Sequence, residues 1–186
     1  MKIESSFEVP VAPEKAWDLL MDVPRVIPCM PGATLTETVD DSNWKAKMNV
    51  KLGPISLTFD TDVKREEADE AARRAKLSAK AREARGRGAA QATIESSLAA
   101  LDGGTRVDVA TDLMLTGAVA QYGRGIVEDV SQQMVKSFAD CLKAQLVATP
   151  DEAEAAVAAQ AKPVGGLRLG LGAIWRQITG IFHRRN

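Results

Sequence analysis

The chain has 186 residues, enough for one domain with a sizeable core plus an appendage, and a formal net charge of −1 that is unevenly spread. Residues 1–162 hold 20 Lys and Arg against 25 Asp and Glu, while residues 163–186 hold four Arg and no acidic residue, so the body stands at −5 and the end at +4. An acidic body argues against nucleic-acid binding there, and the basic end favours an anionic target.

Cys29 and Cys141 lie far apart, outside any Cys-x-x-Cys pattern, which fits a reducing compartment and no metal site. The one histidine, His183, falls near the end, so the body has no histidine triad and no histidine metal cluster. Met1-Lys2-Ile3-Glu4 opens the chain with no apolar signal region, and the body is expected in the cytosol.

In chain order, Lys2–Val11 alternates, with Ile3, Phe7, Val9 and Val11 on one face, and is predicted to be a half-buried strand. Pro13 suits the first turn of a helix, whose apolar face is Trp17, Leu20 and Met21. Pro24, Pro28 and Pro31 break the next stretch into a short helical turn and a loop ending at Gly32. From Ala33 the period becomes two. A short strand from Leu35 ends at the turn cluster Asp40-Asp41-Ser42-Asn43, and Trp44, Ala46, Met48, Val50 and Leu52 alternate with polar residues after it.

Past the break at Gly53-Pro54, Ile55, Leu57, Phe59, Thr61 and Val63 share a face. Residues 66–92 carry conflicting signals. Ala, Glu, Lys and Arg favour helix by propensity, yet Ala75, Leu77, Ala79 and Ala81 alternate with charged and polar neighbours. A helix there would have one large aliphatic on its face, so a strand is the reading adopted. Asp102-Gly103-Gly104 marks a hairpin, after which Val107, Val109, Leu113 and Leu115 line one face.

Ala118–Val147 is predicted to be one long helix, with an apolar stripe through Tyr122, Ile126, Val130, Met134, Phe138 and Leu142. Thr149-Pro150 stops it. A meander of about six strands must curl, and the long helix alone is large enough to cover its concave face. The expected class is α+β, a helix-grip fold: a curved antiparallel sheet around a long C-terminal helix, with a cavity between them.

The expected organisation is a ligand-binding domain over 1–148, a linker over 149–163 and an amphipathic tail over 164–186. On a helix, Val164, Leu167, Leu171, Ile174, Trp175, Ile178, Ile181 and Phe182 fall within an arc of about 120°. Arg168, Arg176, Arg184 and Arg185 complete a membrane-docking set. Val164–Phe182 would extend about 28 Å as a helix, but a central Arg costs about 2.5–3.5 kcal/mol to insert. Lying in the interface is therefore favoured over spanning it. Docking of the same stripe into a groove on a partner protein and folding of the helix back on its own domain are the competing readings.

Inward-pointing Ala75, Ala79, Ala81, Ala90, Ala92 and Ser96 would leave volume unfilled beneath the helix. That volume is either an apolar ligand cavity or the space that lets the helix approach closely. By period, Leu57, Phe59, Leu113 and Leu115 would line the sheet side of the cavity and Ile126, Val130, Met134 and Phe138 the helix side, with Tyr122 offering a hydroxyl. Met30, Met48, Met114 and Met134 read either as a pliable lining or as core filler. Gly123 and Gly125 would each cost about 1 kcal/mol inside a helix, for a ligand gate or for tight packing. No catalytic residue, metal ligand or cofactor motif is assigned.

Four segments carry a family resemblance: Phe7–Leu20, Cys29–Ala33, Arg85–Thr93 and Gly117–Gly125. Over about residues 1–148 the chain resembles the START/Bet v1-like (SRPBCC) superfamily and, within it, the CoxG family of carbon monoxide dehydrogenase operons. The Pro31-Gly32 loop, Gly86-Arg87-Gly88 and Gln121-Tyr122-Gly123-Arg124-Gly125 are its more specific parts. The resemblance implies a non-catalytic accessory protein of a molybdenum hydroxylase. It would bind a quinone or another lipid-like molecule and tether the dehydrogenase to the cytoplasmic membrane face. A maturation factor for the dehydrogenase, or a cyclase- or hydrolase-type enzyme of the superfamily, are the alternatives.

Overall fold

In the computed structural model, residues 1–52, 55–122, 124–147 and 157–160 are described, with Leu52, Tyr122 and Arg124 described by their backbone alone. The tail expected over 164–186, and most of the expected linker, lie outside these residues.

Seven strands form one antiparallel sheet: β1 (Lys2–Val9), β2 (Ala33–Asp40), β3 (Asn43–Leu52), β4 (Ile55–Asp69), β5 (Arg74–Glu83), β6 (Gly88–Leu101) and β7 (Gly104–Gly117). Their order across the sheet is β1-β7-β6-β5-β4-β3-β2. The conflict over residues 66–92 resolves as strand. Helix propensity loses there because β5 has neighbours to bond on both sides, pairing Ala79 with Val63 on β4 and with Ala92 on β6. The long β4 is bulged between Arg65 and Glu67, which adds to the bend of the sheet.

Between β1 and β2 lie α1 (Pro13–Met21), α2 (Val23–Val26) and a 3-10 turn, Ile27–Cys29. Pro13 stands at the start of α1, as its missing N–H permits. The predicted long helix divides into a 3-10 turn, Ala118–Tyr122, and α3 (Arg124–Val147). The break falls in the glycine-bearing segment, where propensity for helix is lowest.

The alternation of each strand sets the two faces of the sheet. Phe7, Val9, Leu57, Phe59, Leu98 and Val107 are buried on the concave side. Lys45, Asp62 and Lys80 stand in one cross-strand row on the convex side. α3 packs its C-terminal half against β1, α1 and the Ile27–Cys29 turn. Two separate apolar clusters result. The first joins Phe7, Trp17, Leu19, Leu98, Val107, Ala139, Leu142 and Leu146. The second joins Leu57, Phe59 and Val119, with Met48, Val50 and Leu115 against them.

The reading of the cysteines is corrected. Cys29 and Cys141, 112 residues apart, form a disulfide with a Cα–Cα distance of 5.4 Å. Both are fully buried in the first cluster. Sequence separation carries no information here, because the β1–α1–α2 excursion returns the Cys29 turn to the side of α3. The Gln145 amide donates to Cys29 Sγ and to the Arg25 carbonyl, bracing the same junction.

Candidate functional site

Between the two clusters the concave face is built of small residues. Cross-strand pairing sets Ala75 beside Ser96, Ala79 beside Ala92 and Ala81 beside Ala90. Further along the same rows, Ala92 faces Leu113 and Ala90 faces Leu115. Ala46 lies opposite Thr61 on the β3–β4 side. Ala75 is buried under the first cluster, but Ala79, Ala81, Ala90, Ala92, Ile94, Leu113 and Thr61 remain half-exposed. The register therefore brings the predicted small residues onto one surface, and among the described residues Ala79, Ala90 and Ala92 join neither buried cluster.

The reason lies in α3. Its C-terminal half is anchored by Ala139, Cys141, Leu142 and Leu146, all buried. In its N-terminal half Val130 is 8% exposed, but Ile126 on the same stripe is 47% exposed. Val127 and Met134 are half-buried. Of the predicted wall residues, Leu57, Phe59 and Leu115 meet in the second cluster, and Phe138 packs on the first, edge-to-face with Phe7 at a ring separation of 6.1 Å. Leu113, Val130 and Met134 border the gap between. Ile126 faces solvent at the helix start, and the side chain of Tyr122 lies outside the described residues.

Methionine placement divides the predicted set. Met48 packs on Leu57 and Phe59, whereas Met114 is 62% exposed on the convex face, opposite Gln91. Its strand parity differs from that of Leu113 and Leu115, so it cannot join the lining. A Cβ on Gly125 would meet nothing within 4 Å, so packing does not demand a glycine there.

The Gly86-Arg87-Gly88 segment closes one end of the band. Gly88 pairs with Gly117, and a Cβ on Gly117 would come within 2.7 Å of Gly88 Cα. The φ of +72° at Gly117 also favours glycine. Glu83, only 4% exposed, points inward beside Phe59. Its carboxylate accepts from the Arg87 guanidinium at 2.8 Å and from the N–H groups of Arg85 and Arg87. The hydrogen bond from Arg87 holds its pKa down at about 2, against the opposing effect of burial. A second ionisable side chain of the concave face, Arg65, donates to the carbonyls of Met21 and Asp41 and lies over Trp44 at 5.6 Å. Both groups are thus occupied in holding strands and turns. Thr61 Oγ1 is buried with no hydrogen-bond partner among the described residues.

On the other face of the sheet an open groove of about 830 Å³ is lined by Glu4, Glu67, Lys76, Glu95, Arg106 and Asp108, among others. Lys76 is bonded to Glu95 at 3.1 Å and Arg106 to Asp108 at 2.9 Å, and acidic residues outnumber basic ones along the groove. It is a solvated strand face lined mainly by charged and polar groups, a poor match for apolar cargo. Among the described residues no cluster of His, Cys, Asp and Glu could hold a metal ion, and no helix is long and apolar enough to cross a membrane.

Residues 5–147 match the carbon monoxide dehydrogenase CoxG family. Among curated proteins, none matches the chain. Solved structures share the fold at low identity. A conserved protein from Geobacillus kaustophilus is 19% identical, with a TM-score of 0.70 over 78% of this chain and 95% of its own. The Zhui aromatase/cyclase of a Streptomyces species is 13% identical, with a TM-score of 0.56 over 78% and 93%. A START superfamily protein from Mycobacterium smegmatis is 14% identical, with a TM-score of 0.53 over 78% and 96%.

Proposed function

The chain belongs to the carbon monoxide dehydrogenase CoxG family, whose members are accessory proteins on a START-like ligand-binding fold, and on that premise we propose that it is a non-catalytic carrier of an apolar molecule, a quinone. It recruits a molybdenum-containing dehydrogenase of the carbon monoxide type to the cytoplasmic face of the membrane. The observation that carries this reading is the alanine-lined band left open between two filled clusters. A folded domain ordinarily fills such space. Here the paired alanines keep it free along the sheet, and the large side chains that border it from the two clusters are apolar.

The walls are Leu57, Phe59, Leu113 and Leu115 from the sheet and Val130, Met134 and Phe138 from α3. A flat ring with an isoprenoid chain suits this surface: it buries apolar area and asks for few polar partners. The basic tail supplies the membrane contact, with Leu167, Leu171, Ile174, Trp175, Ile178, Ile181 and Phe182 in the acyl boundary and Arg168, Arg176, Arg184 and Arg185 among phosphates.

An aromatase/cyclase with the same fold raises an enzymatic reading. Against it, Glu83 and Arg65 on the concave face are both committed to structural bonds, which leaves neither poised for acid–base chemistry.

Titration with decylubiquinone tests the carrier reading. Binding by the full chain, lost on Ala92→Trp with folding intact, is the expected result, and equal binding by both overturns it. Flotation with anionic vesicles tests the tail: the parent floats and a chain with Ile174→Glu and Ile178→Glu does not.

A further inference from the structure

The open band has a border where the chain leaves it. Residues 157–160 form a helical turn that folds back onto the body. Val157 packs on the first cluster. The Gln160 carbonyl accepts from the Gly32 N–H at 2.7 Å, and the Gln160 amide donates to the Ser137 carbonyl at 3.3 Å. Gly32 directly precedes Ala33, which pairs with Met48, and Met48 packs on Leu57 and Phe59. Ser137 lies between the wall residues Met134 and Phe138 on α3. Gln160 therefore sits at the rim of the band, in the gap between α3 and the β2–β3 edge of the sheet.

Beyond Gln160 the chain has 26 more residues, and Val164–Phe182 carries an apolar arc with no acidic residue. As a helix that stretch would extend about 28 Å. A partly exposed, small-residue surface and a large apolar arc thus lie on one chain, joined by a three-residue lead from the rim. Binding within one chain is favoured by the high effective concentration of so short a tether.

We propose that the tail occupies the open band in cis when neither ligand nor membrane is present. The apolar arc of Leu167, Leu171, Ile174, Trp175, Ile178 and Phe182 covers the alanine surface, while Arg168 and Arg176 on the far side stay in water. Ligand and tail then compete for one surface. A membrane draws the tail out into its interface and opens the band where an apolar ligand is stored. The inference rests on the reading of the band as an apolar ligand site.

The test uses the full chain without vesicles and decylubiquinone as the probe. With the tail in the band, apparent affinity is reduced by the fraction of molecules that are open. A full chain carrying Leu171→Glu, Ile174→Glu and Ile178→Glu is expected to bind at least about tenfold more tightly than the parent. The emission of Trp175, taken as the difference between the parent and Trp175→Phe, is expected to be blue-shifted and to move to the red as the probe is added. Equal affinities, with Trp175 emitting as in water, overturn the competition and leave the ligand site standing. Failure of both chains to bind the probe overturns the ligand site, and the competition with it. If the blue shift vanishes on dilution, with sedimentation showing dimers of the parent alone, the occupant is the tail of a second copy and the cis arrangement is wrong.

Discussion

The two halves of α3 serve opposite ends. From Val135 to Leu146 the helix is pressed into the sheet and α1, and Ala139, Cys141, Leu142 and Leu146 are buried. From Gly125 to Met134 Val130 alone is buried, and Ile126 is exposed. One apolar stripe runs through both halves, so the stripe alone does not decide burial. The residues opposite it do. Phe7, Val107 and Leu98 pack with the C-terminal half, whereas Ala79, Ala90 and Ala92 belong to neither buried cluster. One end of the helix holds the fold together and the other frames a site.

The sharpest break in that comparison is Leu142→Ala. Leu142 is 1% exposed at the centre of the first cluster. Its truncation is expected to cost about 2–5 kcal/mol in urea unfolding. Next in size is Cys29→Ala, which opens a covalent loop of 112 residues. The expected loss is about 2–4 kcal/mol, again by urea unfolding, and a reducing agent should reproduce it in the parent and leave the variant unmoved.

Filling the band should do the reverse. Ala79→Leu and Ala92→Leu add apolar volume where the space is open, so stability should change by less than about 1 kcal/mol while decylubiquinone binding is lost. A loss of several kcal/mol would show that the band is as tightly packed as the first cluster, and the contrast would fail. The smallest effect concerns the end of the band. Glu83 has its pKa lowered from 4.5 to about 2 by Arg87 and the backbone amides of the turn. Its contribution to stability is fully present above pH 4.5 and is lost as pH falls toward 2. Glu83→Gln should therefore flatten the acid limb of the stability profile over that window and leave the profile at neutral pH parallel to the parent's.

Much of this organisation was legible in the residues. Alternation located the strands, and the shift from period two to a spacing of three and four located α3. Alternation also decided β5 against its own helix propensity, because a strand flanked by strands has ladder partners that an isolated segment lacks. The small inward residues were legible as well, since parity alone places Ala79, Ala81, Ala90 and Ala92 on one face. Two alternatives were left open for them, cavity or close helix approach. Their partial exposure, beside a helix that packs chiefly on β1, favours open space. Met114 shows the limit of residue type as a guide: it is as flexible and apolar as Met48, yet strand parity turns it to water.

By itself the sequence determined the class of fold, the strand faces and the charge split between body and tail. These are periodic or compositional properties, set by neighbours along the chain. Tertiary structure alone decided the Cys29–Cys141 bond, the division of the concave face into two clusters with a gap between, and the return of Gln160 to Gly32 and Ser137. Each of these depends on where distant segments meet, and that is set by the bend of the sheet and the tilt of one helix across it.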